Sequence, residues 1–429
     1  MTADKLQSAS AGTLRLSSEE EAMLAGEAGP GVQKAMEIVV ALGQIYGAAD
    51  LVPVASVQVS GVSYKNLGDA GLEFLQSWAA QGARARVPAT LNPAGMDLSH
   101  WQELGFARDF ARQQEAIIAA YTTLGIRPAC TCTPYLVGAM PQFGEHLAWA
   151  ESSAVSYANS VLGARTNREG GPSALAAAIT GRTARYGLHL NHNRAATAIV
   201  HVRCPLRSEA DLGALGYLVG QQVKSGVPYF RFQDWDFGEP GQDGLKTLGA
   251  AMAASGAVAL YHVEGVTPET EAQDLRLPGV ETLEVDDLSP GYAALNGPAQ
   301  EVDLVSLGCP HASLAEIQRI ADHLAGRRLQ AGLWITTAQA IRAAAEATGL
   351  VARIEAAGGR VVADTCMVVA PVADLGYRTL ATNSAKMAFY TPSHSGLSVR
   401  FGTLEQCLEA AETGKWRGSD GGPCSRQYK

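Results

Sequence analysis

The stretch EVDLVSLGCPHASLAEIQRIADHLAG, residues 301–326, decides the fold. An apolar, β-rich run ends at Cys309, the chain turns, and a helix-forming segment follows. The same rhythm continues on both sides. Downstream, AGLWITT (331–337) reads as a strand, AQAIRAAAEATG (338–349) as a helix and GRVVADTC (359–366) as a strand. Upstream, ATAIVHVRC (196–204) reads as a strand and SEADLGALGYLVGQQV (208–223) as a helix. Earlier still, LVPVASVQVSGVS (51–63), ARARVPATLNP (83–93) and IRPACTC (126–132) read as strands. Helices GDAGLEFLQSWAAQG (68–82) and FARDFARQQEAIIAAYTTLG (106–125) separate them. Strands alternating with helices predict an α/β protein whose parallel sheets are covered by helices.

The expected organisation follows from that rhythm and its interruptions. Residues 1–50 form an N-terminal helical segment, with Ser17 or Ser18 as N-cap and Gly29–Pro30–Gly31 dividing two helices. Residues 51–227 form a first α/β lobe. Residues 228–300, richer in Gly, Pro and acidic side chains, form a linking region. Residues 301–410 form a C-terminal α/β lobe, and 411–429 a polar, flexible tail.

Composition narrows the function classes. The 429 residues are 47% hydrophobic and 17% charged, with 46 glycines, which suits an α/β protein with many tight turns. A net charge of −9 with no basic run argues against a nucleic-acid surface, and its ordinary role is solubility. Seven cysteines in a chain of this length do not make a disulfide scaffold. The polar start MTADKLQSAS lacks the apolar core of a signal peptide, and no apolar run reaches the roughly 20 residues of a membrane helix. The expectation is a cytoplasmic protein.

Three cysteines stand at predicted strand ends: Cys132, Cys309 and Cys366. Ligands in open α/β sheets collect outside the carboxyl ends of strands. Three thiolates meeting there would hold an iron–sulfur cluster with one iron left open as a Lewis acid. Each cysteine taken alone also reads as a small buried hydrophobe. Zinc is disfavoured by the absence of a C-x-x-C pair. A nucleophilic thiol would want a base, and His311 lies two residues after Cys309. Cys130 alternates to the other face of its strand and reads as a bystander.

Several longer blocks add a resemblance. CTPYL (132–136), GEHLAWAESSAVSYANSVLGARTNREGG (144–171), GCPH (308–311), ADTCMVVAP (363–371) and TNSAKMAFYTP (382–392) resemble the large subunit of aconitase X enzymes. VSGVSYKNLGDAGLEFL (59–75) and VPATLNPAGMDL (87–98) do so too. The resemblance implies the aconitase-superfamily core of parallel-sheet α/β domains around an iron–sulfur cluster held by Cys132, Cys309 and Cys366. Cluster nuclearity stays open from 2Fe–2S to 4Fe–4S, because ordinary aconitases carry a cysteine pair that this chain lacks. It also implies a dehydratase that removes water from cis-3-hydroxy-L-proline to give Δ1-pyrroline-2-carboxylate. The alternative substrate is (R)-5-phosphomevalonate, giving trans-anhydromevalonate 5-phosphate. Hydroxyproline is the favoured expectation, because the Ala- and Gly-rich, Lys-poor composition does not suggest a hyperthermophilic archaeon. The resemblance further implies a mobile swivel domain bearing a catalytic serine. The matching blocks end near residue 410, so the expectation is a separate small subunit that supplies it.

Dehydration of a β-hydroxy acid needs a base, an acid or metal at the departing hydroxyl, and donors for the carboxylate. The GVS turn after a strand offers an anion-binding nest of amides or a plain glycine turn. By resemblance, Gly61, Val62, Ser63, Asn92 and Pro93 line the substrate pocket. Glu151 and Ser152 read as members of an otherwise apolar helix, with surface exposure the ordinary reading for the glutamate; by resemblance they belong to the substrate pocket, with Glu151 a catalytic residue beside Lys386. Arg165, Asn167 and Arg168 read as a carboxylate clamp or a solvated loop. Lys386, flanked by small and apolar residues, reads as a desolvated lysine or a snorkelling one, and the resemblance favours catalysis at substrate. A non-catalytic iron–sulfur sensor that binds RNA is the competing class, and the acidic charge counts against it.

Overall fold

The computed structural model describes residues 14–418, apart from 234–241, 273–274 and 276–278. The polar start and the end of the chain with Cys424 lie outside the described residues. Three all-parallel sheets organise the rest. The first has three strands in the spatial order Ala89–Leu91, Val57–Val59, Ala148–Trp149. A small antiparallel pair, Leu51–Pro53 with Arg182–Ala184, stands apart from it. The second has four strands, ordered His262–Val263, Pro228–Phe232, Ala198–Val202, Glu281–Val285. The third has five, ordered Arg360–Ala363, Gly332–Thr337, Leu304–Leu307, Thr379–Thr382, Ser398–Phe401.

The opening stretch shows why these sheets form. Leu304–Leu307 is central in the third sheet, buried at all its positions, and flanked on both sides by parallel partners. Such a strand needs a continuous apolar run, because helices cover both its faces. The helix that follows, Leu314–His323, is closed at its start by a capping box between Ser313 and Glu316. Its buried face, Ile317, Ile320 and Ala321, repeats at helical spacing.

Four local expectations are corrected. Residues 228–300 supply three of the four strands of the second sheet rather than a link. Two of these strands hide from a periodicity reading: His262–Val263 is two residues long, and Glu281–Val285 runs along an edge, exposed except at half-buried Leu283 and buried Val285. Residues 126–132 form no strand; a single bridge joins Arg127 to Thr90. The tail does not begin at 411, because the helix Leu404–Thr413 runs past it and Trp416 is buried. The apolar residues before Glu151 are not helical: Ala148–Trp149 pair with Val57–Gln58, and the helix starts at Ser152. The N-terminal helices occur as expected, Ser18–Leu24 capped by Ser17 and Pro30–Ile45 after Gly29. Their Met23, Met36 and Val39 pack into the same core as the first sheet.

Candidate active site

A cavity of about 330 Å³ lies where strands of two sheets end. Ser60, Asn92 and Ala150 follow the three strands of the first sheet, and Gly308 and Cys366 follow strands of the third. Cys132, Cys309 and Cys366 all line it. So do Asn92, Pro93, Glu151, Ser152 and Lys386. Residues up to 334 positions apart in the sequence, Ser60 to His394, thus meet at the carboxyl ends of parallel strands, the usual place for ligands in such sheets.

Local structure presents each side chain. Gly308 adopts φ +87°, and a Cβ there would sit 2.2 Å from the Thr336 carbonyl oxygen. Only glycine makes that turn, and the turn delivers Cys309 to the cavity. Asp364 holds a φ of +61° between its strand and Cys366, a conformation that few residues other than Gly, Asn and Asp adopt. Glu151 occupies the N-cap position of helix Ser152–Ser160 in extended backbone. Lys386 sits in the first turn of helix Ala385–Ser395, whose Met387 amide donates to the Ser384 hydroxyl.

The Lys386 ammonium contacts Glu151 Oε1 and donates to the Ser153 hydroxyl at 3.2 Å. Asn92 Nδ2 donates to the other Glu151 oxygen at 2.8 Å. Burial pushes the Glu151 carboxyl up, but Lys386, with Arg168 and Asn92, outweighs burial and holds it below its ordinary value. Burial pushes the Lys386 ammonium down, and Glu151 together with the three sulfurs more than reverses that. The cavity therefore holds a fixed charge pair.

The thiols differ among themselves. Burial pushes Cys132 up to about 12. The hydrogen bond from Cys366 holds Cys309 below its ordinary value and pushes Cys366 well above. Backbone amides reach two of the sulfurs: His311 N–H donates to Cys132 Sγ at 3.1 Å, and Val368 N–H to Cys366. Among the described residues, no three His, Cys, Asp or Glu side chains converge as a single ion would require. A cluster spreads its thiolate ligands over several irons, and soft thiolates with N–H donors to sulfur suit it. The donor set fits an iron–sulfur group.

Other predicted residues fall elsewhere. Ser60, rather than Gly61, Val62 or Ser63, lines the cavity. Val62 and Ser63 are buried, and the Ser63 hydroxyl donates to the Val369 carbonyl at 2.9 Å. Gly61 takes φ +80°, so the turn geometry of a nest is present. Arg165 donates to the His189 carbonyl, and the Asn167 side chain bridges Tyr186 and Leu188. Of that trio only Arg168 lines the cavity, exposed and with no ion pair among the described residues. Cys130 is buried in the core of the first sheet, and Cys204 and Cys407 in the cores of the other two. The His311 ring is engaged on both nitrogens, and burial pushes it down to about 4, so it is not the base of a thiol nucleophile. Ser153, Tyr390 and His394 escaped the sequence reading. Ser153 follows Glu151 closely enough to be suspected; the other two lie one and two helical turns beyond Lys386.

Three family models match the chain in order: the aconitase X first domain over residues 13–192, the second over 196–289 and the third over 302–413. The chain belongs to the aconitase X family. It is 55% identical over 387 residues to the phosphomevalonate dehydratase large subunit of Methanothermobacter thermautotrophicus, covering 90% of this chain and 96% of that one. It is 38% identical over 422 residues to the cis-3-hydroxy-L-proline dehydratase of Pseudomonas aeruginosa, covering 94% of this chain and 70% of that protein. The crystal structure of Thermococcus kodakaraensis aconitase X in its holo-form superposes with a TM-score of 0.85 at 46% identity, over 92% of this chain and all of that one. The parallel-sheet α/β architecture is thus that of the aconitase X family. Each of the three parallel sheets falls within the span of one family model. No helix among the described residues is long and apolar enough to cross a membrane.

Proposed function

We propose that this aconitase X chain is the large subunit of a hydro-lyase that dehydrates a phosphorylated mevalonate, with the cavity at Cys132, Cys309 and Cys366 as its active site. The carrying observation is the 55% identity, over nearly the full length of both chains, to a phosphomevalonate dehydratase large subunit, against 38% to a hydroxyproline dehydratase. The favoured expectation from composition gives way to its alternative. Both substrates are β-hydroxy acids and make the same demand at the reacting end. They differ at the far end, where one carries a phosphate.

The chain offers a group for that end. Arg168 at the cavity is a free guanidinium, the side chain best matched to phosphate geometry. His394 lines the same cavity, and its carbonyl accepts from the Lys65 ammonium at 3.1 Å. Lys65, Arg168 and His394 are far apart in the chain, so no basic cluster marks them in the sequence.

At the reacting end, Cys132, Cys309 and Cys366 would hold an iron–sulfur cluster. When bound, it supplies an open Lewis-acid position for the departing hydroxyl. Lys386 and Asn92 hold the substrate carboxylate, and Glu151 fixes both donors while balancing the lysine's charge. Gly61–Ser63 offer turn amides to the same anion. The base that takes the proton beside the carboxylate is a serine on a small swivel subunit, whose closure over the strand ends excludes water. Free cysteines throughout the described residues accord with a reducing, cytoplasmic setting.

Anaerobic purification with and without the small subunit, followed by assay on both substrates, tests this reading. Turnover of the phosphorylated substrate, appearing only with the partner, is expected. Turnover of hydroxyproline alone would reverse the assignment, and activity from an iron-free chain would remove the cluster from it.

A further inference from the structure

The loops bearing Cys132, Cys309 and Cys366 come from distant parts of the chain, yet one side chain joins all three. His311 follows Cys309 by two residues and is 1% exposed. Its Nδ1 lies 2.9 Å from the hydroxyl of Thr131, the neighbour of Cys132. Its Nε2 lies 2.7 Å from the carbonyl oxygen of Thr365, the neighbour of Cys366. Its own amide donates to the Cys132 sulfur.

The partners dictate where the hydrogens sit. A carbonyl only accepts, so Nε2 carries the ring hydrogen and Nδ1 is the acceptor. The Thr131 hydroxyl must then donate to Nδ1, which leaves its lone pairs for the Thr133 amide and hydroxyl, each at 3.1 Å. Every group in the chain from Thr133 through Thr131 and His311 to Thr365 has one consistent role. The outer ends are tied as well. Gln58 donates to the Thr131 carbonyl at 2.8 Å, the Thr365 hydroxyl to the Ala94 carbonyl at 3.1 Å, and Lys246 to the His311 carbonyl at 3.4 Å.

We infer that His311 is a positioning residue, a clasp that holds the three cysteine loops in one register whether or not iron is bound. What the loops hold rests on the cluster reading above; the clasp itself is a property of the polypeptide. Three ligands on three loops bind poorly if binding must also order the loops, and a buried, fully satisfied hydrogen-bond chain removes that ordering step.

Hydrogen exchange on the iron-free full-length chain reads the clasp directly. In His311→Ala, exchange is expected to rise about tenfold or more in residues 130–133, 309–312 and 364–367 together, while the strand Ala198–Val202 stays unchanged. Iron from the loaded variant is expected to pass to a chelator about tenfold faster than from the wild-type chain. His311→Gln, which keeps a donor toward the Thr365 carbonyl, is expected to recover residues 364–367 in part. Should His311→Ala fail to fold, Thr131→Val removes one hydroxyl link and is expected to loosen 130–133 and 309–312 alone. Loosening confined to 309–312 in His311→Ala, or no change in the three segments, overturns the inference. A wild-type chain that takes up no iron overturns the cluster reading instead, and the exchange result still decides the clasp.

Discussion

Among the described residues two lysines lie buried, each against carboxylate, and they are built differently. Lys386 meets one carboxylate, Glu151, and the pair faces the cavity. Lys246 meets two, Asp243 at 3.0 Å and Glu316 at 2.5 Å, and donates also to the His311 carbonyl. It lines no part of the cavity. Both ammoniums are held above their ordinary value by their partners despite burial. A perturbed, buried, paired lysine is therefore no signature of catalysis on its own. Access to space for a ligand separates the two.

The largest expected effect sits at the open pair. Lys386→Ala should lower kcat by about 10²–10³-fold, the scale for removing a donor aimed at substrate charge. Visible absorbance and iron content should stay at wild-type levels, because the lysine is no iron ligand. Loss of the cluster in this variant would make Lys386 structural and erase the contrast with Lys246.

Lys246→Met should do the reverse. It leaves Asp243 and Glu316 buried without their cation, which destabilises by about 3 kcal/mol, while turnover per folded molecule stays close to wild type. Urea unfolding beside active-site titration separates these outcomes. A large drop in kcat with unchanged stability would place Lys246 in the chemistry.

A smaller effect is expected at the cavity's other cation. Arg168→Ala should raise KM for the phosphorylated substrate about tenfold to a hundredfold, the range for one lost charged hydrogen bond. Iron content should not change. An unaltered KM would move phosphate recognition off Arg168.

What could be read from the sequence depended on how far each contact reaches. Cys309 and Cys366 each close an apolar run that does form a strand, so local pattern located them. Cys132 was located as well, but by a strand that is absent; the loop after Arg127 is held by Gln58 and His311 instead. Glu151 was misplaced into a helix because LAW suits either period, and only pairing with Val57–Gln58 makes it extended. The partners of His311 lie 180 and 54 positions away, and Lys386 lies 235 from Glu151. Lys246 carries one local mark, Asp243 three residues earlier on its helix, but nothing local shows its burial or its second partner. Its role comes from a helix laid against the turn after Cys309, which no window of sequence contains.

The finest test of the contrast is its response to pH. Glu151 shares its lysine with no other carboxylate, and against burial that lysine holds its folded pKa below the ordinary 4.5. Its contribution to stability is present above pH 4.5 and is lost as pH falls through the folded value. At the closed site burial pushes Glu316 above 4.5, and Asp243 and Glu209 add to it while Lys246 opposes. Folding thus raises its affinity for a proton relative to the unfolded chain, so its contribution is full below pH 4.5 and is lost as pH rises through the folded value. Glutamine mimics the protonated acid at either position. Glu151→Gln should fall behind the wild-type melting temperature as pH rises from about 4 to 7, and Glu316→Gln should gain on it over the same range, each by roughly 1–2 °C. Slopes of the same sign would mean that one cation serves both kinds of site alike, and the distinction between an open pair and a closed triad would lose its electrostatic basis.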